Sequence, residues 1–342
     1  MKKSGLGFAE LSKKYVIIYL MMVLAIIMAF VNRNFFTANN AISIMRSISV
    51  QGIMACGMTM VMISGEIDLS FASTAAFGGL IVSMFSDRLS KAGVMSVDAS
   101  AYFGILIALF MAISVGLANA YLIYKWKMPT MIVTLAMQYV VYGTAGWLSN
   151  GWAYYTLPSW WTLFGTKRVF HNQIPLCVFI LIAVWLIYYV IMNHTKLGRK
   201  VYAVGGNAEA ARLSGINVYR IKQIVMVSNQ VCALIAGIVL SSQIMSASAS
   251  LASSLPLTVI AAVVIGGTGV GGGKGSIVGT AFGMLFLGMI LNSMTIANLP
   301  EFPQYIVRGL LIIFAIMLNV LQGRPRKRRT LMTATAPLIH RS

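Results

Sequence analysis

Tyr102-Phe103-Gly104-Ile105-Leu106-Ile107-Ala108-Leu109-Phe110-Met111-Ala112-Ile113-Ser114-Val115-Gly116-Leu117-Ala118-Asn119-Ala120-Tyr121-Leu122-Ile123-Tyr124 runs without one charged side chain. The hydrocarbon core of a bilayer takes about 20 such residues as a helix. Comparable apolar runs flank it on both sides: Tyr15–Val31, Ala41–Ser64, Phe71–Phe85, Met128–Leu148, Ile174–Met192, Gln223–Met245, Leu255–Gly266, Ile277–Ala297 and Tyr305–Leu321. The expectation is an all-α, polytopic transmembrane bundle of about ten spans, residues 1–342 forming a single membrane domain. Phe71–Phe85 and Leu255–Gly266 are short for a full crossing and are expected to be short or re-entrant helices beside a cavity, where irregular backbone survives at membrane depth.

Composition agrees. Hydrophobic residues make up 58% of the chain, charged residues 10%, and mean hydropathy is +0.83. A soluble domain carries about 25% charged residues, so lipid has to cover this surface. The net charge of +19 does not point to nucleic acid, because the basic residues stand between apolar runs rather than on one face. Lys2, Lys3, Lys13 and Lys14 before the first run resemble a signal peptide, but Asn32-Arg33-Asn34-Phe35 follows in place of a small-residue cleavage site, so the run reads as a retained span.

Positive charge orients the chain. With ten spans, one side receives residues 1–14, 125–127, 193–222, 267–276 and 323–342, which carry nineteen of the 26 Lys and Arg. The other side receives Arg33, Arg88, Lys91, Lys167 and Arg168; Arg46 and Arg308 fall in or near spans. Both termini are therefore expected in the cytoplasm, the N-terminal segment 1–14 and the basic tail 323–342 among them. The outer stretch 149–173 holds Trp152, Tyr154, Tyr155, Trp160, Trp161, Phe164 and Phe170, which suits either an interfacial aromatic belt or a docking surface for an external protein.

Several chemistries are excluded. Around Lys274 the chain departs from a Walker A loop, with Gly275 after the lysine and Thr268 where the first glycine belongs. Gly267, Gly269 and Gly272 match a dinucleotide-type spacing, yet a membrane span precedes them and no acidic residue follows at the ribose position. Gly275, Gly279 and Gly283 instead read as small-residue steps that allow close helix approach. Cys56, Cys177 and Cys232 lie far apart in apolar runs, and His171, His194 and His340 in loops or the tail, so neither a metal site nor a catalytic constellation is expected. Nor is a cofactor expected on this chain.

Glu66 and Asp68 stand at the end of the second span. The expectation is a polar corner in which Asp68 caps the helix that starts near Ser70; an ion site is the alternative. Between residues 193 and 222 the sequence Leu197–Ile216 predicts a two-turn helix about 10 Å long: Asn207 as N-cap, Glu209 in the first turn, Arg212 in the last and Gly215 in the left-handed closing position. Ala208, Ala210, Ala211, Leu213 and Ser214 complete a mostly small-sided element suited to docking in a groove. Polar side chains within spans, Gln138, Asn229, Gln243 and Asn292, are candidates for a solute pathway or for interhelical hydrogen bonds.

Three of these stretches resemble the permease subunits of ABC-type sugar importers, the ribose, galactose and xylose transport group. Gly65-Glu66-Ile67-Asp68-Leu69-Ser70 looks like that family's G-G-I-D-L-S-V-G corner. Leu197–Ile216 looks like its long cytoplasmic loop, and Ala261–Thr268 with Gly272-Gly273 and Gly275-Ser276 looks like its late glycine loop. Glu66 replaces a glycine, Phe71-Ala72 replaces Val-Gly, and Pro256 and Thr258 stand where the family has an acidic pair. The resemblance implies a non-enzymatic subunit of the bacterial inner membrane that carries a small sugar. It further implies a second permease copy or paralogue, cytoplasmic ATPase subunits holding ATP and Mg, a periplasmic sugar-binding protein, and 207–215 as the coupling element. A branched-chain amino-acid ABC permease and an ion-coupled carrier are the rival readings.

Overall fold

The computed structural model describes residues 19–28, 30, 32–169 and 173–323. Segment 1–14, the tail beyond Gly323, Phe170, His171 and His340 lie outside them. Lipid offers no partner for backbone N–H and C=O groups, so helices that satisfy their own backbone dominate. They are α1 (Tyr19–Met28), α2 (Ala38–Ile63), α3 (Phe71–Lys91), α4 (Val97–Lys125), α5 (Thr130–Ser149), the single turn α6 (Thr162–Gly165), α7 (Leu176–His194), α8 (Lys196–Gly206), α9 (Ala208–Leu213), α10 (Val218–Ile244), α11 (Leu255–Ile265), α12 (Ile277–Ile296) and α13 (Glu301–Gly323). Two-residue strands β1 (Arg168–Val169) and β2 (Ile174–Pro175) pair antiparallel.

Among the described residues, six helices (α2, α4, α5, α7, α10 and α12) are long and apolar enough to cross a membrane. Where they are described, the expected apolar runs fall on helices, and of the two expected to be short one is not. α3 continues to Lys91, 21 residues and not short. Asp87, Arg88 and Lys91 end the apolar run without ending the helix, because Lys91 pairs with Asp87 one turn back at 2.8 Å and Thr156 donates to Asp87 at 2.6 Å. α11 has 11 residues, a rise of about 16 Å and half the bilayer core.

α2, α3 and α10 form the centre of the bundle, and α4 packs against α3 and α10. Small residues set the spacing: a Cβ on Gly237 of α10 would come 2.0 Å from the Ala75 carbonyl oxygen of α3. α10 is 61% buried over its apolar window and α5 only 22%, so α5 is a peripheral helix. Gln243 of α10 donates to the Arg46 carbonyl (3.1 Å) and Ser49 Oγ (3.1 Å) of α2, and Arg46 returns a bond to the Gln243 carbonyl (3.3 Å).

The aromatic stretch divides in two. Trp161 is fully buried and donates to Ser241 Oγ at 3.2 Å, and Trp160 stacks on Tyr102 at 5.0 Å. Trp152 and Tyr155 face outward.

Candidate functional site

The three stretches that carry the family resemblance are far apart in sequence and meet at one point. α2 ends at Ile63 with Ser64 as its cap, and Gly65 turns the chain with φ +91°. Against that turn lies Gly205 at the end of α8; a Cβ there would sit 1.8 Å from the Ile63 carbonyl oxygen. Gly272 of the loop between α11 and α12 closes the third side, where a Cβ would meet Gly65 Cα at 2.7 Å. The Gly273 N–H donates to the Ile63 carbonyl at 2.8 Å, which satisfies a helix-end acceptor that α2 cannot satisfy itself. Tyr202 of α8 donates its hydroxyl to the Gly275 carbonyl at 3.0 Å, and partial burial holds that phenol above its ordinary pKa, neutral and able to donate. α11 and α12 meet just as closely: a Cβ on Gly283 would fall 2.1 Å from the Ala262 carbonyl oxygen. Backbone therefore packs directly on backbone.

Both acidic residues of the corner are held by α10. Asp68 is fully buried. One carboxylate oxygen accepts from Ser70 N–H (2.9 Å) and Ser70 Oγ (2.7 Å), the other from Asn229 Nδ2 (2.9 Å) and Gln230 Nε2 (2.7 Å). Asp68 thus receives the backbone N–H at the head of α3 and also binds α10 across the bundle. Asn119 of α4 joins by donating to Ser70 Oγ at 2.9 Å. Glu66 is bound by Lys222 of α10 (2.8 Å) and by the Thr130 hydroxyl of α5. Lys222 also donates to the Ser64 carbonyl (2.6 Å) and lies 5.2 Å from the Tyr124 ring centre.

α9 stands next to this junction. Asn207 Oδ1 accepts from Glu209 N–H and Ala210 N–H, each at 3.0 Å, and Gly215 takes φ +80°. Arg212 and Glu209 pair at 2.6 Å, which holds the Glu209 carboxyl below its ordinary range and the Arg212 guanidinium above. Ala211 is buried, whereas Ala208, Glu209, Ala210, Arg212, Leu213, Ser214 and Gly215 are exposed. An exposed leucine, 80% accessible at Leu213, gives the element an apolar contact point.

A cleft of about 400 Å³ opens between α5, α11 and α13. Its polar lining is Gln138, Ser253, Ser254, Thr258, Tyr305 and Arg308. Of the four sequence candidates for a pathway, only Gln138 lines it. Asn229 belongs to the Asp68 cage, Gln243 to the α2–α10 lock, and Asn292 Oδ1 is buried with no hydrogen-bond partner among the described residues. Sequence reasoning missed Ser253, Ser254 and Thr258, and it noted Arg308 only as a cation in a span. The usable signal was the serine-rich, irregular segment 246–254 ahead of a half-length helix, because irregular backbone at membrane depth lines cavities.

Residues 40–316 match the family described as "Branched-chain amino acid transport system / permease component". The chain is 34% identical over 306 residues to the ribose import permease protein RbsC of Escherichia coli (strain K12), covering 87% of this chain and 91% of that one. It is 33% identical over 317 residues to the L-arabinose transport system permease protein AraH of the same strain, with 93% of each covered. RbsC of Bacillus subtilis (strain 168) is 32% identical over 299 residues, covering 87% of this chain and 90% of its own length. The chain belongs to the permease family of ribose- and arabinose-type ABC importers. The permease is thus a non-catalytic transport component and a multi-pass membrane protein, homologous to bacterial inner-membrane permeases. No solved structure matches it.

The permease's departures from the family pattern have visible counterparts. Glu66, in place of glycine, is matched by Lys222 and Thr130. Pro256 and Thr258, in place of an acidic pair, both line the cleft.

Proposed function

We propose that the permease crosses the membrane ten times with both termini in the cytoplasm. It carries a monosaccharide such as those named for its relatives, delivered by a periplasmic binding protein, through a pathway built with a second permease copy or paralogue. Cytoplasmic ATPase subunits hold ATP and Mg and supply the energy; the whole of 1–342 serves as one permease unit, with loop 193–222 as the coupling region. The observation that carries this reading is the glycine junction. α9, exposed and adjoining α8, stands at one end of a backbone-on-backbone contact whose other members are the α2–α3 corner and the α11–α12 loop. A push on α9 therefore has a stiff route, through Gly205, into four spans at once. A partner can bias a conformational equilibrium only through its differential affinity for the two states, and closure of the ATPase dimer on α9 supplies that difference.

Glu66 and Asp68 act in this scheme as a conformational corner, fixed to α10 by hydrogen bonds. Four donors already occupy the carboxylate oxygens of Asp68, which speaks against an ion-coupling role. The pathway runs by the α5–α11–α13 cleft, so Gln138 keeps its place as a pathway residue while Asn229, Gln243 and Asn292 give way to Ser253, Ser254 and Arg308.

The double substitution Glu209→Ala with Arg212→Ala tests the coupling role. Expected are normal folding, loss of co-purification with the ATPase and loss of ATP-driven uptake; full retention of both would discard it. The family's description also covers branched-chain amino acids, and competition between leucine and ribose for uptake separates the two cargoes. Uphill accumulation by the permease alone in liposomes, with no ATPase present, would sink the importer reading itself.

A further inference from the structure

Arg308 sits within the apolar stretch of α13, with its guanidinium 5.4 Å from the Tyr305 ring centre and its Nε buried without a hydrogen-bond acceptor. A guanidinium is charged at any physiological pH, and charges within membrane spans are costly and pair with one another or mark a solute path. The chain offers Arg308 little to pair with, having seven carboxylates in all. Glu66 is bound to Lys222, Asp68 to its four donors, Asp87 to Lys91 and Thr156, and Glu209 to Arg212. Asp98 lies in the first turn of α4 and Glu10 outside the described residues. Glu301 is seven residues back along α13, about 10 Å of helix rise. No ion pair joins Arg308 to any described residue.

The wall that shares the cleft with Arg308 is uncharged at Pro256 and Thr258. The remaining polar lining, Gln138, Ser253 and Ser254, offers amide and hydroxyl groups matched to sugar hydroxyls. A volume of about 400 Å³ falls in the range of small-molecule sites. The cleft thus combines sugar-compatible donors and acceptors with one positive charge that nothing in its wall neutralises.

We propose that the permease carries an acidic monosaccharide, a sugar bearing a carboxylate, and that Arg308 is its specificity-determining residue. The guanidinium presents parallel N–H groups that match a carboxylate two-for-two, and an aldose without that group satisfies them less well. This rests on the cleft being the solute path.

The test is saturation-transfer NMR on the full-length permease in phosphatidylcholine nanodiscs, with D-galacturonate and D-galactose at equal concentration. The native protein is expected to give a galacturonate signal several-fold above that of galactose. Arg308→Gln should abolish the preference. Thr258→Asp, which keeps the arginine and gives it a fixed counter-charge, should abolish it as well, so the result does not hang on one variant's folding. Equal signals for the two sugars in the native protein, or a preference that survives both substitutions, overturn the proposal. So does displacement of galacturonate by phosphatidylglycerol in the disc, which would assign Arg308 to a lipid phosphate. Uptake by the complete importer separates the levels: ATP-driven transport of galactose with no preference for galacturonate overturns this inference alone, whereas absence of ATP-driven uptake strikes the importer reading beneath it.

Discussion

The glycine junction and the α5–α11–α13 cleft are opposite solutions to the use of space inside one bundle. At the junction, three chain segments touch through their backbones, and the carboxylates beside it are filled with donors from α3, α5 and α10. At the cleft, α11 and α13 pack together but leave open space toward α5, and Arg308 keeps its buried Nε without an acceptor. Charged groups held by several donors in close packing make a region stiff, even though the amide oxygens of Asn119, Asn229 and Gln230 there stay without a partner, whereas the charge in the cleft wall faces no counter-charge. On the proposed function, the first region transmits and the second recognises.

That contrast predicts a gradient of effects. Gly205→Val should be the most damaging, because its Cβ has 1.8 Å to the Ile63 carbonyl oxygen. Folded permease should be lost on fluorescence-detected gel filtration, and a folded, active Gly205→Val protein would break the junction model. Lys222→Met comes next. It leaves Glu66 as an unpaired, largely buried charge, and losing one partner of such a pair costs about 3–5 kcal/mol. Adding Glu66→Gly should restore most of the stability, read as the unfolding midpoint of purified protein. Asp68→Asn keeps the shape but turns one acceptor into a donor facing Asn229 or Gln230, a loss of about 1–3 kcal/mol in the same measurement.

At the cleft, Gln138→Ala should leave stability within about 0.5 kcal/mol and change uptake instead; a large stability loss would erase the distinction between the two regions. The smallest effect is expected from pH on the exposed α9 pair. Arg212 depresses the Glu209 pKa, so the pair is intact above the ordinary carboxylate range and is lost only as pH falls through the depressed value. ATPase co-purification should therefore not change on either side of neutrality, and a loss of binding there would place the sensitive group elsewhere.

How much of this was legible beforehand differs from residue to residue. α9 was readable to its caps, since Asn207, Glu209, Arg212 and Gly215 act within a turn or two of their own positions. The end of α3 was misread because hydropathy stops at Asp87 while the backbone ladder continues. Asn229 and Gln138 look alike in sequence, two amides in apolar runs, yet one cages Asp68 and the other lines the cleft. Glu66 looked like a lone departure until Lys222, 156 residues away in the chain, appeared against it.

The sequence by itself determined that this is a helical membrane protein, where its apolar runs lie and which family it joins. Those properties depend on composition and on neighbours within a few residues, where local backbone and solvent rules decide. Only the tertiary structure decided that three separate glycine-bearing stretches form one joint and that Arg308 faces Thr258 without a counter-charge in the cleft wall. Such contacts depend on which faces of distant helices meet, and packing alone fixes that.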